Sequence, residues 1–184
     1  KGGNPPLYIG IHLLYNSRRP RGAAAGQILR KYRGNDPMDK SVIISIKGVQ
    51  STDGEQPEVI ELVTEGKLLD CGDAGYTLTY QESQLTGLDG TLTTFQVEPD
   101  CITLMRVGEF NSQMVFQPGR RHFSMYETPY GALSVGISTK KMHANLNERG
   151  GEIEIDYAIE IDHAVAGENT FHIDVREKEP ILTQ

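Results

Sequence analysis

From Glu152 to Asp162 the chain alternates, with Ala158 the one break. Ile153, Ile155, Tyr157, Ile159 and Ile161 hold one phase, while Glu152, Glu154, Asp156, Glu160 and Asp162 hold the other. Successive side chains of a strand point to opposite faces, so this run predicts a strand with one buried and one wet face. The two-residue rhythm recurs at 41–50, 59–70, 75–83, 91–98, 101–108, 112–117, 121–127, 132–143 and 167–176, and the run itself extends over 151–162. Gly, Asp, Asn or Pro falls in nearly every gap, as hairpin turns require. No stretch carries an apolar stripe at i, i+3, i+4 with helix caps, so no helical layer is expected over the sheet. A sheet of about ten strands must then cover its own apolar face by closing into a barrel or folding into a sandwich. Sequential strands joined by short turns favour the first, and the expected fold is all-β: an antiparallel up-and-down barrel of about 8–10 strands. Gly48, Gly66 and Gly136, inside apolar strands, are expected at bends or bulges.

Extending the alternation assigns polar side chains to the inner face. Tyr76, Leu78, Tyr80 and Glu82 share one phase, and Ile102, Leu104 and Arg106 share another. Thr64, Thr139, Tyr157 and Asn169 also follow apolar neighbours inward. An inward arginine is costly to desolvate unless it is paired or meets water. Two readings are open. In one, Arg106 and Glu82 form a structural ion pair near one barrel end. In the other, the lumen is a small-ligand site, with Arg106 gripping a carboxylate or phosphate and Tyr80, Tyr126 and Tyr157 supplying walls and hydroxyls. Glu82 completes that contact set.

Familiar catalytic signatures are missing from the sequence. It has no GxxxxGK[ST] phosphate loop, no GxGxxG after a strand, no GxSxG elbow and no HExxH helix. His122, His143, His163 and His172 lack partners at ligand spacing, so neither a metal nor a cofactor is expected. His172 shares the polar phase of Glu168, Thr170 and Asp174 and is expected on the surface. With only Cys71 and Cys101 there is no disulfide framework, and two reduced thiols in a cytoplasmic protein are expected. No apolar run approaches the roughly 20 residues that span a bilayer, and no membrane partner is expected. Arg120, Arg121, His122, Lys140 and Lys141 form a basic cluster that either contacts an acidic partner or offsets neighbouring acids.

Charge is unevenly divided. Residues 1–37 hold Lys1, Arg18, Arg19, Arg21, Arg30, Lys31 and Arg33 against the single acid Asp36, on a chain whose net charge is −7. A basic arm on an acidic body can bind nucleic acid, but the arm shows no sustained period and nucleic acid is not the favoured partner. Its apolar stretch precedes the arginines, the reverse of a secretory signal. Met38 directly precedes the first patterned strand, and Arg33-Gly34 is compatible with purine-rich codons of a ribosome-binding site. Residues 1–37 are therefore expected to be a basic extension of leader origin, with Met38 the natural start; the gene's codons at 33 and 34 test this.

Three blocks carry a resemblance: "GYTLTYQESQLTGLDGTLTTFQVE", "ITLMRVGEFNSQMVFQPGRRHFSMYETPYGALSVGISTKKM" and "GGEIEIDYAIEIDHAVAGENTFHIDVR". Together they resemble the bacterial YwiB-like family, a domain of unknown function with a calycin-like β-barrel. The matching positions are Tyr76, Tyr80, Glu82, Thr86, Gly87, Arg106, Gly108, Met114, Phe116, Gly119, the Tyr126–Gly131 box, Thr139, Gly151, Tyr157 and Asn169. The resemblance covers 38–176 and leaves 1–37 and a tail at 177–184 outside. It implies a lipocalin-like fold and cytosolic residence; lumen binding follows from it by analogy, and no activity does. The expected function is non-catalytic binding of a small anionic or amphipathic molecule in the lumen. The alternative is a protein-interaction module whose working surface is the basic cluster or an unpaired strand edge. An enzyme ranks third, since no nucleophile pairs with a base. Oligomeric state leaves no mark in the sequence.

Overall fold

The alternation becomes ladder register. In a computed structural model the ten expected segments are ten strands: β1 (Asp39–Ser51), β2 (Glu58–Asp70), β3 (Tyr76–Gln81), β4 (Leu92–Glu98), β5 (Cys101–Val107), β6 (Ser112–Phe116), β7 (Arg121–Thr128), β8 (Gly131–Asn147), β9 (Gly150–Ile161) and β10 (Ala164–Glu177). The structure describes residues 39–179 apart from 53, 55, 109, 110, 129, 130 and 162, and over 125–133 the backbone alone. The expected leader 1–37, Met38 and the tail from 180 onward lie outside the described residues. What is described of the tail is tied down: β10 runs to Glu177, and the Lys178 N–H donates to the Ser41 carbonyl at 2.9 Å.

All ten strands belong to one antiparallel sheet in the order β6-β5-β4-β3-β2-β1-β10-β9-β8-β7. Every neighbour in that order is a neighbour in sequence except β1 and β10, whose pairing joins the two ends of the meander. Among the described residues no ladder joins β6 to β7. That seam is bridged instead by the Gln117 N–H, which donates to Thr139 Oγ1 at 3.0 Å, and by a 3.2 Å bond between Gln117 Oε1 and His122 Nε2. The sheet is strongly curled. β6 and β9 stand seven places apart, roughly 34 Å in a flat sheet, yet the Phe116 and Tyr157 rings meet edge to face at 4.9 Å. The result is a nearly closed up-and-down barrel.

Its core is the inner phase read from the sequence. Val42, Ile44, Leu78, Ile102, Leu104, Phe116, Ile153, Ile155 and Ile173 are all shielded from solvent. Burial of this apolar surface is the main favourable term holding the sheet curled.

Two expectations need correction. Glu160, assigned to the wet phase of β9, is buried. Its cross-strand neighbour in β8 is Gly136, which has no side chain to hold the wall away, so Phe123 from β7 lies across the outer face. Arg121 Nη2 then meets Glu160 Oε1 at 3.1 Å and satisfies the charge. The three glycines, moreover, do not mark bulges: the register shifts fall at Thr139/Lys141 and Val165/Gly167. Gly66 is a point of close approach, since a Cβ there would stand 2.5 Å from the Thr79 carbonyl oxygen.

Candidate ligand site in the barrel lumen

Two ladder steps assemble the polar cluster. Thr93 in β4 lies opposite Tyr80 of β3 on one side and opposite Arg106 of β5 on the other. Residues in direct register share a face, so Tyr80, Thr93 and Arg106 form a row across the inner wall. Glu82, two residues beyond Tyr80, keeps the same phase because its N–H still pairs with the Thr91 carbonyl at 2.9 Å. Period-two alternation and one extra backbone bond thus bring an acid and a base together inside the barrel.

The pair is deeply placed, with side chains 7% (Arg106) and 1% (Glu82) exposed. Arg106 Nε stands 3.6 Å from Glu82 Oε1, an ion-pair distance outside hydrogen-bond reach. The carboxylate is occupied elsewhere: Thr93 Oγ1 donates to Oε1 at 2.5 Å and Thr86 Oγ1 donates to Oε2 at 2.8 Å. Among the described residues Arg106 Nε has no hydrogen-bond partner. Burial pushes the Tyr80 hydroxyl well above its usual range, with the adjacent Glu82 charge adding to the shift and Arg106 opposing it. Tyr80 therefore stands as a neutral phenol beside the carboxylate.

A cavity of about 440 Å³ opens onto this cluster. Tyr80, Glu82 and Arg106 line its polar end; Ile46, Ile60, Leu62, Phe95 and Phe171 make its apolar walls. The exposed Glu58 and Leu85 stand at its mouth. Volumes of roughly 300–1,000 Å³, mostly apolar with a few converging polar groups, are typical of small-molecule sites.

The sequence-derived contact set is therefore brought together in part. Tyr80, Glu82 and Arg106 converge on the cavity. Tyr157 is buried behind its wall, packed on Phe116 and, at 5.6 Å between ring centres, on the cavity-lining Phe171. Burial also raises its hydroxyl above the usual range, against the opposing pull of Arg106. The Tyr126 backbone lies in β7 opposite Leu133, and its side chain is outside the described residues. Sequence reading gave no role to the 3-10 turn Gln84–Thr86, which with Gly87 and Leu88 forms one side of the mouth. Its signal was Ser83, whose Oγ accepts from the Leu85 N–H at 3.3 Å, followed by Gly87 in the left-handed region.

Outside the lumen, the basic cluster is largely matched with acids. Arg121 pairs with Glu160, Lys140 with Glu168, and Lys141 with Glu154 at 2.7 Å. His172 is exposed, and Cys71 and Cys101 are free. Among the described residues no three His, Cys, Asp or Glu side chains gather as a metal site would need, and no helix is long and apolar enough to cross a membrane.

Comparison with known proteins agrees with this architecture. "Uncharacterized beta-barrel protein YwiB" of Bacillus subtilis (strain 168) is 28% identical over 120 residues, spanning 65% of this chain and 82% of that protein. The crystal structure of the ywiB protein from Bacillus subtilis superposes with a TM-score of 0.63 at 22% identity, covering 77% of this chain and 94% of the other. That likeness shows the same fold. The model of the family described as Domain of unknown function (DUF1934) matches residues 44–173, from within β1 to within β10, and the chain belongs to this β-barrel family.

Proposed function

We propose that the barrel is a non-catalytic binder of a small anionic or amphipathic molecule, held in the lumen with its polar end against Arg106. The observation that carries this reading is the buried Arg106 guanidinium on the wall of an open, mainly apolar cavity, beside a carboxylate already engaged by two threonine hydroxyls. A ligand oxygen that accepts from the guanidinium gains a charge-assisted hydrogen bond in a site shielded from water. Apolar walls supply the rest by burying a hydrocarbon portion of the occupant. Two free thiols suit a cytoplasmic setting for this binding. The competing reading, a protein-interaction module using the outer basic cluster, has less support, because acids on β9 and β10 already engage Arg121, Lys140 and Lys141.

Native mass spectrometry of protein purified from cells without refolding tests the proposal. The expected spectrum shows a small-molecule adduct that disappears on denaturation. A bare polypeptide mass, together with a stoichiometric protein captured from lysate, would favour the outer-surface reading instead.

A further inference from the structure

The charges around the cavity restrict what can sit against Arg106. Taking the lumen as the binding site proposed above and narrowing the two kinds of occupant named there to the amphipathic one, we infer that its occupant presents an uncharged hydrogen-bond acceptor, such as an alcohol, ester or amide oxygen, ahead of an apolar chain. A free carboxylate or phosphate head is disfavoured.

Three charged side chains line the cavity: Glu58 and Glu82 against Arg106. Two carboxylates and one guanidinium leave the lining with an excess of negative charge. Glu82 is also fixed in place. Each of its oxygens accepts a threonine hydroxyl, at 2.5 Å from Thr93 and 2.8 Å from Thr86, and those bonds hold it beside the guanidinium whether or not a ligand arrives. An anion brought within hydrogen-bond reach of Arg106 is attracted by one unit charge and repelled by another only slightly farther off. The two terms nearly cancel, and the cost of stripping water from the anion is left unrecovered.

A neutral oxygen meets a different balance. It has far less hydration to lose, it still accepts a hydrogen bond from the cavity-lining guanidinium, and it brings no charge toward Glu82. Beyond the head the walls are Ile46, Ile60, Leu62, Phe95 and Phe171, which suit an aliphatic chain. The cavity therefore offers hydrogen-bond donors from Arg106 and no surplus positive charge to go with them.

Calorimetric titration of the full chain with decan-1-ol and with sodium decanoate near neutral pH tests this, since the two probes share a chain and differ in head charge. Decan-1-ol is expected to bind about tenfold or more tighter than decanoate. Removing the countercharge with Glu82→Gln is expected to reverse that order. If Glu82→Gln fails to fold, Glu58→Gln at the exposed mouth serves instead, and is expected to strengthen decanoate several-fold relative to decan-1-ol. Decanoate binding as tightly as decan-1-ol to the wild type, or no shift of preference in the folded variant, overturns the inference and leaves lumen binding standing. Binding of neither probe, with no adduct on the native protein, overturns both.

Discussion

Arg106 lies buried with a carboxylate 3.6 Å from its Nε and no hydrogen bond on that nitrogen. Its stability contribution depends on Glu82 remaining charged beside it. Glu82→Gln is expected to cost about 3–5 kcal/mol in urea unfolding, the usual penalty for leaving one member of a buried pair without its counter-ion. Replacing both, as Glu82→Leu with Arg106→Met, is expected to recover most of that loss, because apolar residues of similar size pack as well as a buried pair. Single-variant losses at the surface scale of about 0.5 kcal/mol would place the pair outside the core. Tyr80 and Tyr157 give a second residue-scale test. Both phenols are raised above the ordinary value of 10.0, chiefly by burial. The folded state holds their protons more tightly than the unfolded chain, so their contribution is intact below pH 10 and is lost as pH rises above it. Ultraviolet titration of tyrosine is expected to show two phenols that ionise only together with alkaline unfolding. Ionisation of all eight tyrosines near pH 10 in the still-folded protein would contradict this.

At the scale of elements, the strands close on one another through positions that tolerate no side chain. A Cβ on Gly66 of β2 would stand 2.4 Å from Ile44 Cδ1 and 2.5 Å from the Thr79 carbonyl oxygen, and the backbone oxygen cannot yield without breaking the β2–β3 ladder. Gly66→Ala is expected to cost about 1–3 kcal/mol in urea melts. Gly136→Ala, by contrast, would press on Phe123, a half-exposed side chain rather than backbone, and is expected to cost less, under about 1 kcal/mol. Equal losses would mean that Phe123 is as constrained as the backbone beside Gly66. These elements also show what was readable in advance. Tyr80, Glu82 and Arg106 were legible because a strand's inner phase depends only on counting by two along each segment. Glu160 was misread because its burial depends on Phe123 and Arg121, which arrive from a strand more than thirty residues away. The turn at Gln84–Thr86 has no period to count, and its role at the cavity mouth arises from how the whole wall curves.

For the molecule as a whole, the meander makes stability uneven. β1, β9 and β10 have ladders on both sides, whereas β6 and β7 flank the seam and have a ladder on one side each. Amide hydrogen exchange is expected to be slowest in β1, β9 and β10 and fastest in β6 and β7, since locally opened states need break only one ladder there. Uniform protection around the barrel would show the seam to be closed by bonds beyond those of Gln117. The barrel itself was foreseeable, because about ten sequential amphipathic strands without helices have few other ways to bury one face. An open cavity was not, since the same alternation serves a barrel filled by its own side chains equally well.

The central claim, that Arg106 grips a ligand in this cavity, is tested most directly by native mass spectrometry of the wild type beside the Glu82→Leu, Arg106→Met double variant, both purified without refolding. Urea melts first establish that the double variant is folded. The expected result is an adduct on the wild type and none on the folded double variant. An adduct of the same mass and occupancy on both proteins would contradict the claim and leave the buried pair a purely structural feature of the barrel.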